Sequence, residues 1–178
     1  MPRSSYRVFD TEYPYLVTCS IVDWLPIFSI PGTVQIILDS LNFHQQQRGL
    51  TLYAYVVMEN HLHLIAQSDQ LPQNMRTFKS YTARQVIDLL KKRRNNFYLD
   101  KLKQKKLAHH DDAEFQLWQE GYHPKQITGD DMMIQKIEYV HNNPIKRGYV
   151  AKPEDWRYSS ACDYRGQKGL IPIIKFVK

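Results

Sequence analysis

The chain has 178 residues, with 24 Lys and Arg against 18 Asp and Glu, a formal net charge of +6 and a sequence pI of about 9.2, a balance that suits one compact domain with a polyanionic partner. Two cysteines, Cys19 and Cys162, far apart and outside any Cys-x-x-Cys, exclude a disulfide framework and a cysteine zinc site. No apolar run approaches the length of a membrane span, and Met1 to Asp10 has no signal-peptide core, so the expected compartment is the cytoplasm, with no membrane partner.

Tyr15 to Val22, rich in β-branched and aromatic residues, is expected to be a strand, and Val34 to Arg48 a helix ended by Gly49. Leu50 to Met58 and His61 to Gln67 read as two further strands, and the short junction at Asn60 makes them antiparallel hairpin neighbours. His61 and His63 then share one face near the turn, roughly 7 Å apart at Cα, while Leu62 and Leu64 point to the other. Imidazole pairs suit several divalent ions, so this spacing leaves both the ion and the chemistry open. Two surface histidines on a half-buried strand are the plainer alternative.

Met75 to Arg94 is expected to be a long basic helix. From Arg76 to Lys106 eleven lysines and arginines stand against Asp88 and Asp100, a local charge of +9 in a chain of net +6, so the remainder is net acidic. Concentrated charge of this kind fits a surface that tracks phosphates, with Arg76, Lys79, Arg84, Lys91, Lys92 and Arg93 as candidate contacts; a solvated helix face is the alternative. A polar stretch from Asn95 to Ala113 shows little sign of order, and Glu114 to Gln119 is expected to be a fourth strand. Trp118 suits the core, whereas Tyr122 and His123 are candidates to line a cleft or stack on a base.

Thr128 and Asp131 have the spacing of a capping box, and Ile134, Ile137 and Val140 recur at helical intervals, which predicts a helix ended by Pro144. Tyr139 and Asn143 fall four apart on one face of it, off the apolar stripe. Taken alone, Tyr139 is one of 12 tyrosines and Asn143 an ordinary polar residue before a proline. The order β-α-β-β-α-β predicts an α+β, ferredoxin-like antiparallel sheet with helices on one face and an added C-terminal segment. With no internal repeat and no Gly-, Ser- or Pro-rich linker, residues 1–178 read as a single domain.

Taken together, an Asn60-His61-x-His63 strand, a Phe78-Lys79-Ser80-Tyr81 helix, Trp118-Gln119-x-Gly121-Tyr122, a Tyr139-Val140 helix leading to Asn143-Pro144, and Trp156-x-Tyr158-Ser159-Ser160 follow in sequence. This series resembles the HUH single-strand DNA endonucleases with one catalytic tyrosine, most closely the REP-associated tyrosine transposases and their insertion-sequence relatives, from about Tyr15 to Tyr164. The resemblance implies that Tyr139 is the nucleophile, that His61 and His63 are metal ligands, and that Asn143 is the third ligand. It also implies that Trp156, Tyr158 and Arg165 lie where relatives close the domain and touch their guide sequence. One departure is Glu59, where relatives often carry proline.

The implied reaction is transesterification on single-stranded DNA at hairpin or repeat ends, through a 5′-phosphotyrosine intermediate, by a monomer or homodimer. Phenols titrate at about 10 and are poor nucleophiles at neutral pH, so attack on a phosphodiester calls for a metal that polarises the phosphate. Two neutral imidazoles and an amide oxygen leave room for water and phosphate oxygens, which suits Mg²⁺ or Mn²⁺ better than a closed zinc site. Tyr81, also helical and in a basic setting, is the rival nucleophile. Two other classes stand beside this reading: a non-catalytic RNA- or DNA-binding ferredoxin-like module, and a small metal phosphoesterase in which Tyr139 only positions substrate.

Overall fold

In the computed structural model, which describes residues 10–108 and 113–178, the strands are β1 (Tyr15–Ser20), β2 (Thr51–Val57), β3 (His61–Gln67) and β4 (Lys125–Gln126). The helices are α1 (Thr33–Gln47), α2 (Leu71–Lys92), α3 (Asn96–Gln104), α4 (Asp130–His141) and the short α5 (Asn143–Lys146) and α6 (Ala161–Tyr164). The sheet runs β2-β3-β1-β4 with every neighbouring pair antiparallel, the strand order of the ferredoxin-like split motif.

Alternation along the strands sends two sets of side chains to two cores. Val17, Cys19, Leu62, Leu64 and Ala66 join the core built with α1 and α2. Leu16, Val56 and Ile65 face the other way, against Ile137 and Val140 of α4. A bulge between Leu52 and Ala54 shifts the phase of β2, so Leu52 and Tyr55, three apart, both reach the first core. His61 and His63 have the parity of Ile65 and therefore lie on the α4 face. The alternation of the strand thus decides the side on which any chemistry at the histidines takes place.

Four expectations about the elements are corrected. Glu114 to Gln119 is no strand: Leu117 and Trp118 are consecutive buried residues, Trp118 makes only an isolated bridge to Ile21, and the chain kinks at Gly121 (φ 69°) before β4 pairs with Tyr15 and Leu16. The stretch from Asn95 contains α3, anchored by buried Leu99 and Leu102, with residues 109–112 outside the described part. Gly129, not Thr128, caps α4, with no side-chain bond, and Asp130 and Asp131 place negative charge on its first turn. Pro144 does not merely end a helix; after Asn142 it opens α5, because a proline in the first turn lacks only an N–H that would have no partner there.

The C-terminal segment closes the outer edge of β2. Val57 N–H donates to the Tyr158 carbonyl (2.8 Å), Ser160 N–H to Tyr55 (3.0 Å) and the Trp156 indole to the Val57 carbonyl (3.0 Å), so the edge is paired rather than open. His141, buried at the end of α4, shares a hydrogen bond of 2.8 Å with Ser160 Oγ and packs its ring on Tyr164. It is packing, two residues from Tyr139 and pointing away from the histidine pair.

Candidate active site

β3 begins at His61, directly after the hairpin turn, and α4 lays Tyr139 along the same face. The rings of His61 and His63 lie 4.9 Å apart between centroids, and those of His63 and Tyr139 5.3 Å apart. Both histidines are 5 % exposed, while Tyr139 is 37 % exposed, so the phenol is open to a large substrate and the imidazoles sit at the floor. Asn143 hydrogen-bonds the His63 side chain, and its amide N–H₂ donates to the Tyr139 carbonyl at 2.8 Å, one helical turn back. The sequence thus brings His61 and His63 of β3, Tyr139 of α4 and Asn143 of α5 to one place.

The surroundings orient the imidazoles. His61 Nδ1 meets Asn60 Oδ1 at 2.7 Å, while the Asn60 amide N–H₂ donates to the Trp24 carbonyl at 3.3 Å. With Asn60 so turned, its oxygen accepts from Nδ1–H and the lone pair of His61 is left on Nε2. His63 Nδ1 is 2.8 Å from Thr18 Oγ1, its cross-strand partner on β1. Burial, aided by the Arg147 charge and opposed by Glu59, pulls the His61 pKa down to about 4. Burial and the neighbouring His61 pull that of His63 down to about 3, against the Asn143 hydrogen bond. Both rings are therefore neutral at pH 7.

Two neutral imidazoles, one with a fixed tautomer, and a nearby amide oxygen suit a divalent ion that takes its other ligands from water or phosphate. No cluster of three or more His, Cys, Asp or Glu placed to hold a metal occurs among the described residues.

One ammonium lies over the phenol ring, and a guanidinium lies by the histidine turn. Lys146 Nζ lies 5.0 Å from the centre of the Tyr139 ring, and Arg147 Nη1 is 3.5 Å from Glu59 Oε1, beside the histidine turn. Lys146 is seven residues beyond Tyr139, two helical turns on, a spacing that could have flagged it. Thr18, Asn60 and Trp24 carried no such signal, because they meet the histidines through sheet register and the turn.

The other expected contacts separate. Arg76, Arg84, Lys91, Lys92 and Arg93 are exposed on α2 or at its end. That helix packs on the core opposite α4, so these charges and the histidine pair occupy different faces of the sheet. Lys79 departs from its expected place on the phosphate-facing surface. Its ammonium donates to the carbonyls of Gln119 (2.8 Å) and Gly121, and burial lowers its pKa. Tyr122 is half-buried against the α1–α2 core, with its pKa raised by burial, and His123 is exposed with its backbone N–H on the Thr18 carbonyl. Tyr81 is exposed on α2, across the sheet from His61 and His63.

No protein-family profile matches the chain. Over 107 residues, 60 % of its length, it is 27 % identical to a protein of Haemophilus influenzae assigned as a REP-associated tyrosine transposase, and the match spans little more than half, 56 %, of that relative. Among solved structures, a REP-associated tyrosine transposase bound to a REP hairpin superposes with a TM-score of 0.67 at 15 % identity, covering 99 % of this chain and 94 % of that one. A protein of Deinococcus radiodurans assigned as a transposase gives a TM-score of 0.45 at 19 % identity, covering 85 % of this chain and 100 % of its own. In sequence over the matched stretch and in fold over nearly its whole length, this protein is thus similar to the REP-associated tyrosine transposases.

Proposed function

We propose that this protein nicks and rejoins single-stranded DNA, at or beside hairpin or repeat ends, through a 5′-phosphotyrosine on Tyr139. The observation that carries the reading is the meeting of His61, His63, Tyr139 and Asn143 on one face of the sheet. The similarity in sequence to one tyrosine transposase, and in fold to another solved with a REP hairpin, supports the same conclusion.

The Tyr139 oxygen gives its proton to solvent and attacks the phosphorus. The bond from phosphorus to the 3′ oxygen breaks, and that oxygen leaves as a 3′ hydroxyl after taking up a proton. Tyr139 keeps the 5′ phosphate, so bond energy is conserved for the reverse attack by another 3′ hydroxyl. His61, His63 and Asn143 would hold Mg²⁺ or Mn²⁺, which supplies polarisation of the phosphate and stabilisation of its developing charge. Lys146, over the ring, adds positive charge beside the phenolate that forms. Asn60 and Thr18 keep the imidazoles turned into the site.

A denaturing gel tests this directly. Wild-type protein incubated with a single-stranded hairpin oligonucleotide and Mn²⁺ should give a slow-migrating covalent species, and Tyr139→Phe should give none while Tyr81→Phe still does. Adduct formed by Tyr139→Phe would sink the nucleophile. DNA binding without adduct in any metal would favour a non-catalytic binding module.

A further inference from the structure

Trp24 is 53 % exposed, unlike Trp118, which is in the core, and Trp156, which is half-buried under Tyr149. Its indole meets the His61 ring edge-on, 5.9 Å between centroids, so Trp24, His61, His63 and Tyr139 form one continuous row of rings. The backbone that presents it is unusual. Asp23 (φ 56°) and Trp24 (φ 53°) are consecutive non-glycine residues in the left-handed region, where L side chains are strained. Three contacts hold the turn: the Trp24 N–H on the Ile21 carbonyl (3.1 Å), the Asn60 amide on the Trp24 carbonyl (3.3 Å), and an ion pair of 3.2 Å from Asp23 to Lys105, just beyond α3. A strained turn that leaves a large apolar ring in water gains little for the fold. Strain kept at such a place points to presentation of the ring.

The position of the ring adds a second argument. The turn joins the histidine end of the sheet, through Asn60, to the basic end of α3, through Lys105, and so stands where a strand leaving the catalytic face would pass towards the charged face. Building on the single-strand reading above, we propose that Trp24 is a stacking platform for an unpaired nucleobase flanking the phosphate held between the histidine pair and Tyr139. An aromatic face takes any base, so this contact contributes affinity and register rather than sequence choice.

The test separates base stacking from simple support of His61. Binding is measured in EDTA, in a Tyr139→Phe background, with two probes: oligothymidylate, and an abasic oligonucleotide of the same length that keeps the phosphates but lacks bases. Trp24→Ala should weaken oligothymidylate binding about tenfold, the size of one base–aromatic stack, with Trp24→Phe restoring most of it. On the abasic probe the Trp24→Ala protein and the protein that keeps Trp24 should bind alike. An equal loss on both probes would mean that the indole only supports the turn, and an unchanged affinity on both would mean that no base stacks there; either overturns the proposal. The covalent-adduct assay decides the nicking reading separately, since it does not depend on which ring stacks.

Discussion

Asn60 controls more than its own position. By accepting from His61 Nδ1 it leaves the lone pair of that ring on Nε2, while Thr18 Oγ1, 2.8 Å from His63 Nδ1, holds the orientation of the second ring. Losing such a partner typically costs 10- to 100-fold in metal affinity or activity. Asn60→Ala and Thr18→Val should therefore raise the Mn²⁺ concentration for half-maximal cleavage by about that range, with activity recovered at saturating metal. Loss that no metal concentration repairs would assign these residues to folding instead. The buried imidazoles also make stability depend on pH. The folded pKa values of His61, His63 and His141 lie at about 4, 3 and 4, below the 6.5 of the unfolded chain. Between those limits the unfolded state binds more protons, so stability is fully present above pH 6.5 and is lost as pH falls towards 4. Each site contributes up to about 1.4 kcal/mol per pH unit in that window. In EDTA the urea midpoint should fall steeply from pH 6.5 to 5, and a flat profile would mean that burial does not hold these rings neutral.

At the scale of elements, α4 is the part whose docking makes the site. Ile137 and Val140 press it on Leu16, Val56 and Ile65, and Tyr139 lies between them in sequence but outward in space. Ile137→Ala should cost about 2–5 kcal/mol of stability, as buried large-to-small changes do, and should raise the rate of heat inactivation of cleavage. Unchanged unfolding in urea would show that α4 is not held by this core. The same elements show what a sequence reveals. β3 and α1 could be read almost to the residue, because strict alternation and a long apolar period leave one face to bury. The pairing of His61 and His63 with Tyr139 came from the resemblance, since nothing in the spacing of residues 61 and 139 brings them together. β4 was missed because two paired residues carry no periodicity, and α3 because only Leu99 and Leu102 anchor it. Lys79 and Trp24 escaped for another reason: a half-buried lysine tied to backbone carbonyls and an exposed indole both run against what their side chains usually do.

Across the whole molecule, charge and chemistry lie on opposite faces. His61, His63 and Tyr139 are on the α4 side, while Arg84, Lys91, Lys92 and Arg93 are on the α1–α2 side. The two are nevertheless brought to one end of the sheet, because α2 follows β3 and runs back antiparallel to it, so that its C-terminal half returns towards the turn before His61. A bound strand that used both would have to pass over that end. If these four residues each neutralise a phosphate, log affinity should fall with log salt at about −0.7 per contact, and their replacement by alanine should flatten the slope by close to 3. Lys79 should behave differently, since its ammonium is engaged by the Gln119 and Gly121 carbonyls. Lys79→Met should lower stability by about 1.5–3 kcal/mol, the worth of hydrogen bonds to a charged group, and leave the salt slope unchanged. A slope untouched by the four alanines but reduced by Lys79→Met would place the phosphates along the Trp118 to Tyr122 loop instead of over the end of α2.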